Sequence, residues 1–152
     1  MSSSKAGATS RPLAATLREL TVHDAMWPGI ITCPPTASAG EVASIMSSNH
    51  IHCVIVSDLG EAGGTGQRWD VVSDLDLVSV GGRDIDDLTA AEITATEPLT
   101  IDAGESLERA CQVMSEHAVT HVLALEPGSS IPVGVLSTRD VARVLSQAAA
   151  PS

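Results

Sequence analysis

One feature limits what this chain can fold into more than any other: it is written twice. Ile45-Met46 recurs as Val113-Met114, 68 residues on. At the same offset of 68, Ile31-Thr32 lies over Leu99-Thr100 and Val54-Ile55 over Val122-Leu123. Val71-Val72-Ser73 lies over Val135-Leu136-Ser137 at an offset of 64. The difference falls in the stretch from Leu59 to Arg68, where the first copy carries the insertion Gly60-Glu61-Ala62-Gly63-Gly64-Thr65-Gly66. Loops absorb insertions and packed elements do not. The chain therefore reads as two copies of one unit.

Each copy opens with a short apolar strand, Gly29 to Thr32 and Pro98 to Ile101. An amphipathic helix follows, because Val42, Ile45 and Met46 share one face, as do Leu107, Ala110, Cys111 and Met114. Ser38 with Glu41 has the form of a capping box, and Ser106 is suited to N-cap the second helix. Two strands come next, Cys53 to Val56 and Trp69 to Val72, repeated as Val119 to Leu125 and Val133 to Leu136. The last helix starts at Ser73 or Ser137. It carries Leu75, Leu77 and Val78 before Gly81-Gly82 in one copy, and Val141, Val144 and Leu145 in the other.

The fold class is therefore α/β (α+β), with two tandem βαββα repeats. A unit of about 60 residues is marginal alone. The two are expected to face each other sheet to sheet about a pseudo-two-fold axis, with ligand clefts between them. Leu13, Leu17 and Leu20 predict a short N-terminal helix. The expected boundaries are a disordered tail at 1–11, the first repeat with that helix at 12–85, the second repeat at 86–148, and a tail at 149–152.

Charge and composition exclude several functions. The net charge is −11, from 8 Lys+Arg against 19 Asp+Glu, and Trp27 and Trp69 are the only aromatic residues besides histidine. Nucleic-acid binding wants a basic stripe or stacking platforms, and the sequence offers neither. No run approaches the roughly 20 apolar residues that span a bilayer. Cys33, Cys53 and Cys111 show no pairing pattern, and the polar N-terminus lacks the form of a secretory signal. A cytoplasmic protein is expected.

The two copies share one polar pattern. Val71-Val72-Ser73-Asp74-Leu75-Asp76 and Gly134-Val135-Leu136-Ser137-Thr138-Arg139-Asp140 each set a hydroxyl at a strand end and a carboxylate three residues later. Taken singly, Ser-x-x-Asp at a helix start is a cap, and caps are far commoner than ligand sites. Recurrence at equivalent places after a strand argues for more. A carboxylate accepts two vicinal O–H donors at once, and the adjacent helix N-terminus offers N–H groups to phosphate.

The pattern resembles the CBS-domain signature, in which a glycine and two apolar residues precede Ser or Thr, two variable residues and Asp. The resemblance covers about Thr21 to Gln147. It departs at Asp70, where glycine is usual, and at Ile55 and Leu123, where proline is often found. It implies a CBS-domain pair, a regulatory and non-catalytic module that binds an adenosyl ligand of the AMP, ADP, ATP or S-adenosylmethionine type. It also implies a homodimer joined through helical faces and signalling to a partner protein or the second subunit.

In that family the Asp accepts from ribose hydroxyls and the Ser or Thr reaches ribose or phosphate. Carried over, the ligand meets Ser137, Thr138, Arg139 and Asp140, with Leu99, Thr100, Thr120 and His121 beside the adenine. In the first copy the same places are held by Ser73 and Asp76, with Ile31, Thr32, His52 and Cys53. Arg139 and Arg143 favour phosphate in the second site, while Asp70 and Asp74 disfavour it in the first. The second site is thus expected to be the principal one.

Two other functions compete. A ligand-independent dimerisation or scaffold module would use Ser-x-x-Asp as caps only. A metal or redox sensor would use His50, His52 and Cys53, but no spaced four-ligand set is present. Catalysis has no support from phosphate-loop, nucleophile-elbow or zinc-protease motifs. No catalytic cofactor is expected.

Overall fold

The computed structural model describes residues 12–58, 69–82, 84–94 and 98–150. The insertion at 60–66, the tail at 1–11 and the last two residues of the tail at 149–152 lie outside them. Helices α1 (Leu13–Glu19) and α2 (Val22–Ala25) precede strands β1 (Trp27–Pro28) and β2 (Thr32–Cys33). Then come α3 (Ala39–Asn49), β3 (Cys53–Ser57), β4 (Trp69–Ser73) and α4 (Asp74–Ser79). A 3-10 turn (Ile85–Asp87) leads to α5 (Ala90–Ile93), β5 (Thr100–Asp102), α6 (Leu107–His117), β6 (His121–Leu125), β7 (Pro132–Ser137) and α7 (Thr138–Ala149). The tandem βαββα order expected from the repeats is present.

One sheet has the order β2-β3-β4 and the other β1-β7-β6-β5. In each, the first strand of the repeat runs parallel to the second, and the second antiparallel to the third. The central strands are covered on both faces, since Val54, Ile55 and Val56, and likewise Val122, Leu123 and Ala124, are almost wholly buried. A continuous apolar run is what such a strand requires.

Capping is local and repeated. Ser38–Glu41, Ser73–Asp76 and Ser137–Asp140 all form capping boxes, and Ser106 accepts from the Arg109 N–H. Both long first helices end on a non-glycine residue in the left-handed conformation, His50 (φ 54°) and Ala118 (φ 53°).

The compact units do not follow boundaries at 85 and 86. One is Ile30–Pro98; the other joins 99–150 to the N-terminal segment 12–29. Each copy gives its leading segment to the other copy's core. Val22, Ala25 and Met26 are buried with Ile101, Leu107 and Leu136, with Leu17 and Leu20 of the α1 region against them. Leu88, Ala90 and Ile93 are buried with Val42, Val54 and Val72.

The backbone bonds match one for one across the repeat. Val22 N–H donates to Glu105 O (2.8 Å) as Ala90 N–H does to Ala37 O (2.7 Å). His23 N–H donates to Ala103 O (2.9 Å) as Ala91 N–H does to Pro35 O (3.0 Å). Apolar residues placed outside their own copy's core account for the shifted boundary.

β1 pairs antiparallel with β7, Trp27 opposite Val135 and Pro28 opposite Gly134. This close approach explains the glycine, because a Cβ on Gly134 would stand 2.6 Å from the Trp27 carbonyl oxygen and 2.7 Å from Met26 Sδ. Among the described residues no helix is long and apolar enough to cross a membrane. All three cysteines are free thiols, Cys33 buried and the others half-buried.

Candidate ligand-binding sites

The second site lies at one end of its sheet, where β7 stops and β5 and β6 start. Ser137 stands opposite His121 in register, and Thr138 N–H donates to the Thr120 carbonyl (3.0 Å). Thr120 Oγ1 lies 2.9 Å from His121 Nδ1. Leu99 accepts from Leu123 N–H (2.9 Å) and Thr100 pairs with Leu123, so both sit at the same sheet end. Thr138 and Arg139 are exposed in the first turn of α7.

Asp140 is the centre of this arrangement and is buried. Its Oδ2 accepts from Ser137 N–H (2.9 Å) and from the Ser137 hydroxyl (3.0 Å), while Asp140 N–H donates back to Ser137 Oγ (3.2 Å). Its Oδ1 accepts from Arg143 Nη1 (2.9 Å). Arg143 Nη2 in turn donates to the Ala25 carbonyl (2.9 Å), 118 residues away. A carbonyl at a helix C-terminus lacks an intrahelical partner, so a guanidinium suits it.

The first site has the same frame. Cys53 pairs with Ser73, Asp74 N–H donates to the His52 carbonyl (2.9 Å), and Ile55 N–H donates to the Ile31 carbonyl (2.9 Å). Thr32 lies opposite Ile55. Asp76 Oδ2 accepts from Ser73 N–H (2.9 Å) and Ser73 Oγ from Asp76 N–H (3.2 Å). Asp76 Oδ1 has no hydrogen-bond partner among the described residues.

Three local expectations change. Asp70 sits opposite Val56, three residues up β4 from Ser73, so it stands about 10 Å from the helix start. Asp74 is answered by His52, whose Nδ1 lies 3.0 Å from Asp74 Oδ2. Arg143 is turned to Asp140 and Ala25 rather than held open for a phosphate. The Asp140–Arg143 pair was available in the sequence as a helix i,i+3 pair; the Ala25 carbonyl was not.

His50, His52 and Cys53 do not form a common donor set. His50 ends α3, His52 faces Asp74, and Cys53 begins β3. Among the described residues no three His, Cys, Asp or Glu side chains gather to hold a metal ion.

Two βαββα units, each with a third strand whose last residue caps the closing helix, define a tandem-repeat module. The chain belongs to the CBS domain family, whose model matches residues 22–80 and again 90–147. It is 30% identical over 123 residues to a homoserine O-acetyltransferase of Methanocorpusculum labreanum, a match covering 80% of this chain and 23% of that protein. The chain thus spans less than a quarter of that relative's length. Its fold is similar to a CBS domain pair in complex with 5′-methylthioadenosine and S-adenosyl-L-methionine (TM-score 0.72, 19% identity, 84% of this chain and 97% of that one). It is also similar to a CBS domain protein of Pyrobaculum aerophilum complexed with AMP (TM-score 0.69, 24% identity, 85% of this chain and 100% of that one).

Proposed function

We propose that this chain is a non-catalytic regulatory module that binds an adenosyl ligand at its strand–helix junctions. The observation that carries this is the carboxylate of Asp76 and of Asp140, set at equivalent junctions beside a hydroxyl and a helix N-terminus. Ser137, Thr138, Arg139 and Asp140, with Leu99, Thr100, Thr120 and His121, form the second site. Ser73 and Asp76, with Ile31, Thr32, His52 and Cys53, form the first. That similar folds are found with AMP, and with S-adenosylmethionine and 5′-methylthioadenosine, supports the ligand class. The module acts in the cytoplasm as a homodimer and passes the bound state to a partner protein or to the second subunit. A ligand does this only by binding two states unequally.

A scaffold module is the second reading. The observation favouring it is that Asp76 and Asp140 are engaged in capping boxes like those of Thr21–Asp24 and Thr89–Glu92, to which no ligand role attaches. Thermal shift with adenosine, AMP, ATP, S-adenosylmethionine and zinc separates the readings. A rise with an adenosyl compound supports ligand sensing, a rise with zinc alone supports a metal sensor, and no response supports the scaffold. Titration calorimetry on Asp76→Ala and Asp140→Ala then assigns the sites, with Glu92→Ala as a cap-only control that keeps binding intact.

A further inference from the structure

We propose that Arg143 is an internal competitor for the second site, so that a ribose bound at Asp140 displaces its guanidinium and removes one tie between α7 and the end of α2. This rests on the ligand reading above and adds the regulation of that site. An ionised carboxylate offers about four acceptor positions. Three are taken at Asp140, two on Oδ2 by Ser137 and one on Oδ1 by Arg143. Oδ2 is directed into the cap, so Oδ1 is the atom left for a ligand, and it is Oδ1 that Arg143 holds. A vicinal diol needs two acceptors and finds one. Entry of the diol therefore breaks the Arg143–Asp140 bond.

The same guanidinium holds the Ala25 carbonyl, so its departure removes a tie between α7 and the segment leading into β1. Arg143 is half-exposed and has room to turn outward. The repeat supplies an internal control. The residue equivalent to Arg143 in the first copy is Ser79, whose hydroxyl donates to the Leu75 carbonyl (2.8 Å) and leaves Asp76 alone. The first site is open where the second is clamped.

The test uses the full chain carrying Asp76→Ala, so that only the second site binds, with adenosine as probe because it brings no phosphate to attract Arg143. Calorimetry compares that chain with the same chain carrying Arg143→Gln or Arg143→Lys. Arg143→Gln is expected to bind adenosine about tenfold tighter, the size of one charge-assisted hydrogen bond. Arg143→Lys keeps the charge but cannot span both acceptors, and it should fall between, which guards against a folding defect in the first variant. Amide exchange at residues 22–29 should rise with adenosine when Arg143 is present, and in Arg143→Gln it should already be raised and not respond to adenosine. Equal affinities, or exchange at 22–29 that ignores adenosine, overturn the competitor and leave the ligand reading standing. If adenosine binds none of these chains, nor the unsubstituted one, the ligand reading itself is overturned and the competitor with it.

Discussion

Thr21 is bridged antiparallel to Ser106, and the residues at the same places in the opposite copies, Thr89 and Ser38, form the same bridge. Each copy's entry into its first turn is thus fastened to the N-cap of the other copy's long helix.

This makes the best cut point predictable. A fragment of residues 30–98 keeps Leu88, Ala90 and Ile93 with Val42, Val54 and Val72, whereas 12–85 loses all three. Chemical denaturation followed by circular dichroism should show a cooperative transition for 30–98 and a weak or absent one for 12–85. Equal behaviour would mean that the exchanged segment contributes little to that core.

Gly134→Ala should destabilise the chain by about 1–3 kcal/mol, the usual cost of forcing an atom into a packed site. The added Cβ meets backbone, the Trp27 carbonyl, which cannot turn aside as a side-chain tip would. Asp70→Gly, at the equivalent place in the first copy, puts a glycine into the interior of β4 and should not stabilise. Urea midpoints of the two variants decide it, and a neutral Gly134→Ala would refute the close approach.

Two exposed capping boxes set a pH dependence. Asp24 and Glu41 both have pKa values below the usual carboxylate range, first because Thr21 and Ser38 donate their backbone N–H groups, then because their hydroxyls also bond. A lowered folded-state pKa gives stabilisation that is complete above the unfolded value of about 4 and is lost as pH falls through the folded value. Asp24→Asn and Glu41→Gln should therefore lower Tm at neutral pH, and the gap to the unsubstituted chain should close in acid. A gap that persists unchanged at about pH 2 would contradict this assignment.

The homodimer proposed above has a testable face. Leu75 and Val78 are 57% and 74% exposed on α4, the most exposed large apolar residues of any helix among the described residues. Val78→Glu should shift the mass measured by light scattering at high micromolar concentration from dimer to monomer. An unchanged dimer would move the contact to another surface.

Much of this was legible locally. Ser38, Ser73, Ser106 and Ser137 stand directly before periodic apolar runs, so their caps could be read from neighbouring residues alone. Thr21-x-x-Asp24 and Thr89-x-x-Glu92 follow the same grammar at the repeat offset of 68, yet the helices they open have four residues each. Such helices are too short to show a period. β1 is a two-residue edge strand containing a proline, and its partner β7 lies more than a hundred residues away. The Ser137–Asp140 pairing was visible in the sequence. The hold on Ala25 was not, because a backbone carbonyl leaves no trace in residue identity.

The exchange of leading segments also bears on how such a chain arises. A lone copy of the unit, keeping the packing seen here, would present an incomplete core, and could close it by borrowing Val22, Ala25 and Met26, or their equivalents, from another molecule. Two copies joined end to end turn that loan into an intramolecular one. A short tether holds the partner segment at an effective concentration in the millimolar range, far above what most proteins reach in a cell. Fusion of duplicated units therefore removes the concentration dependence of assembly, and leaves each copy free to lose the residues that a self-sufficient monomer would have to keep.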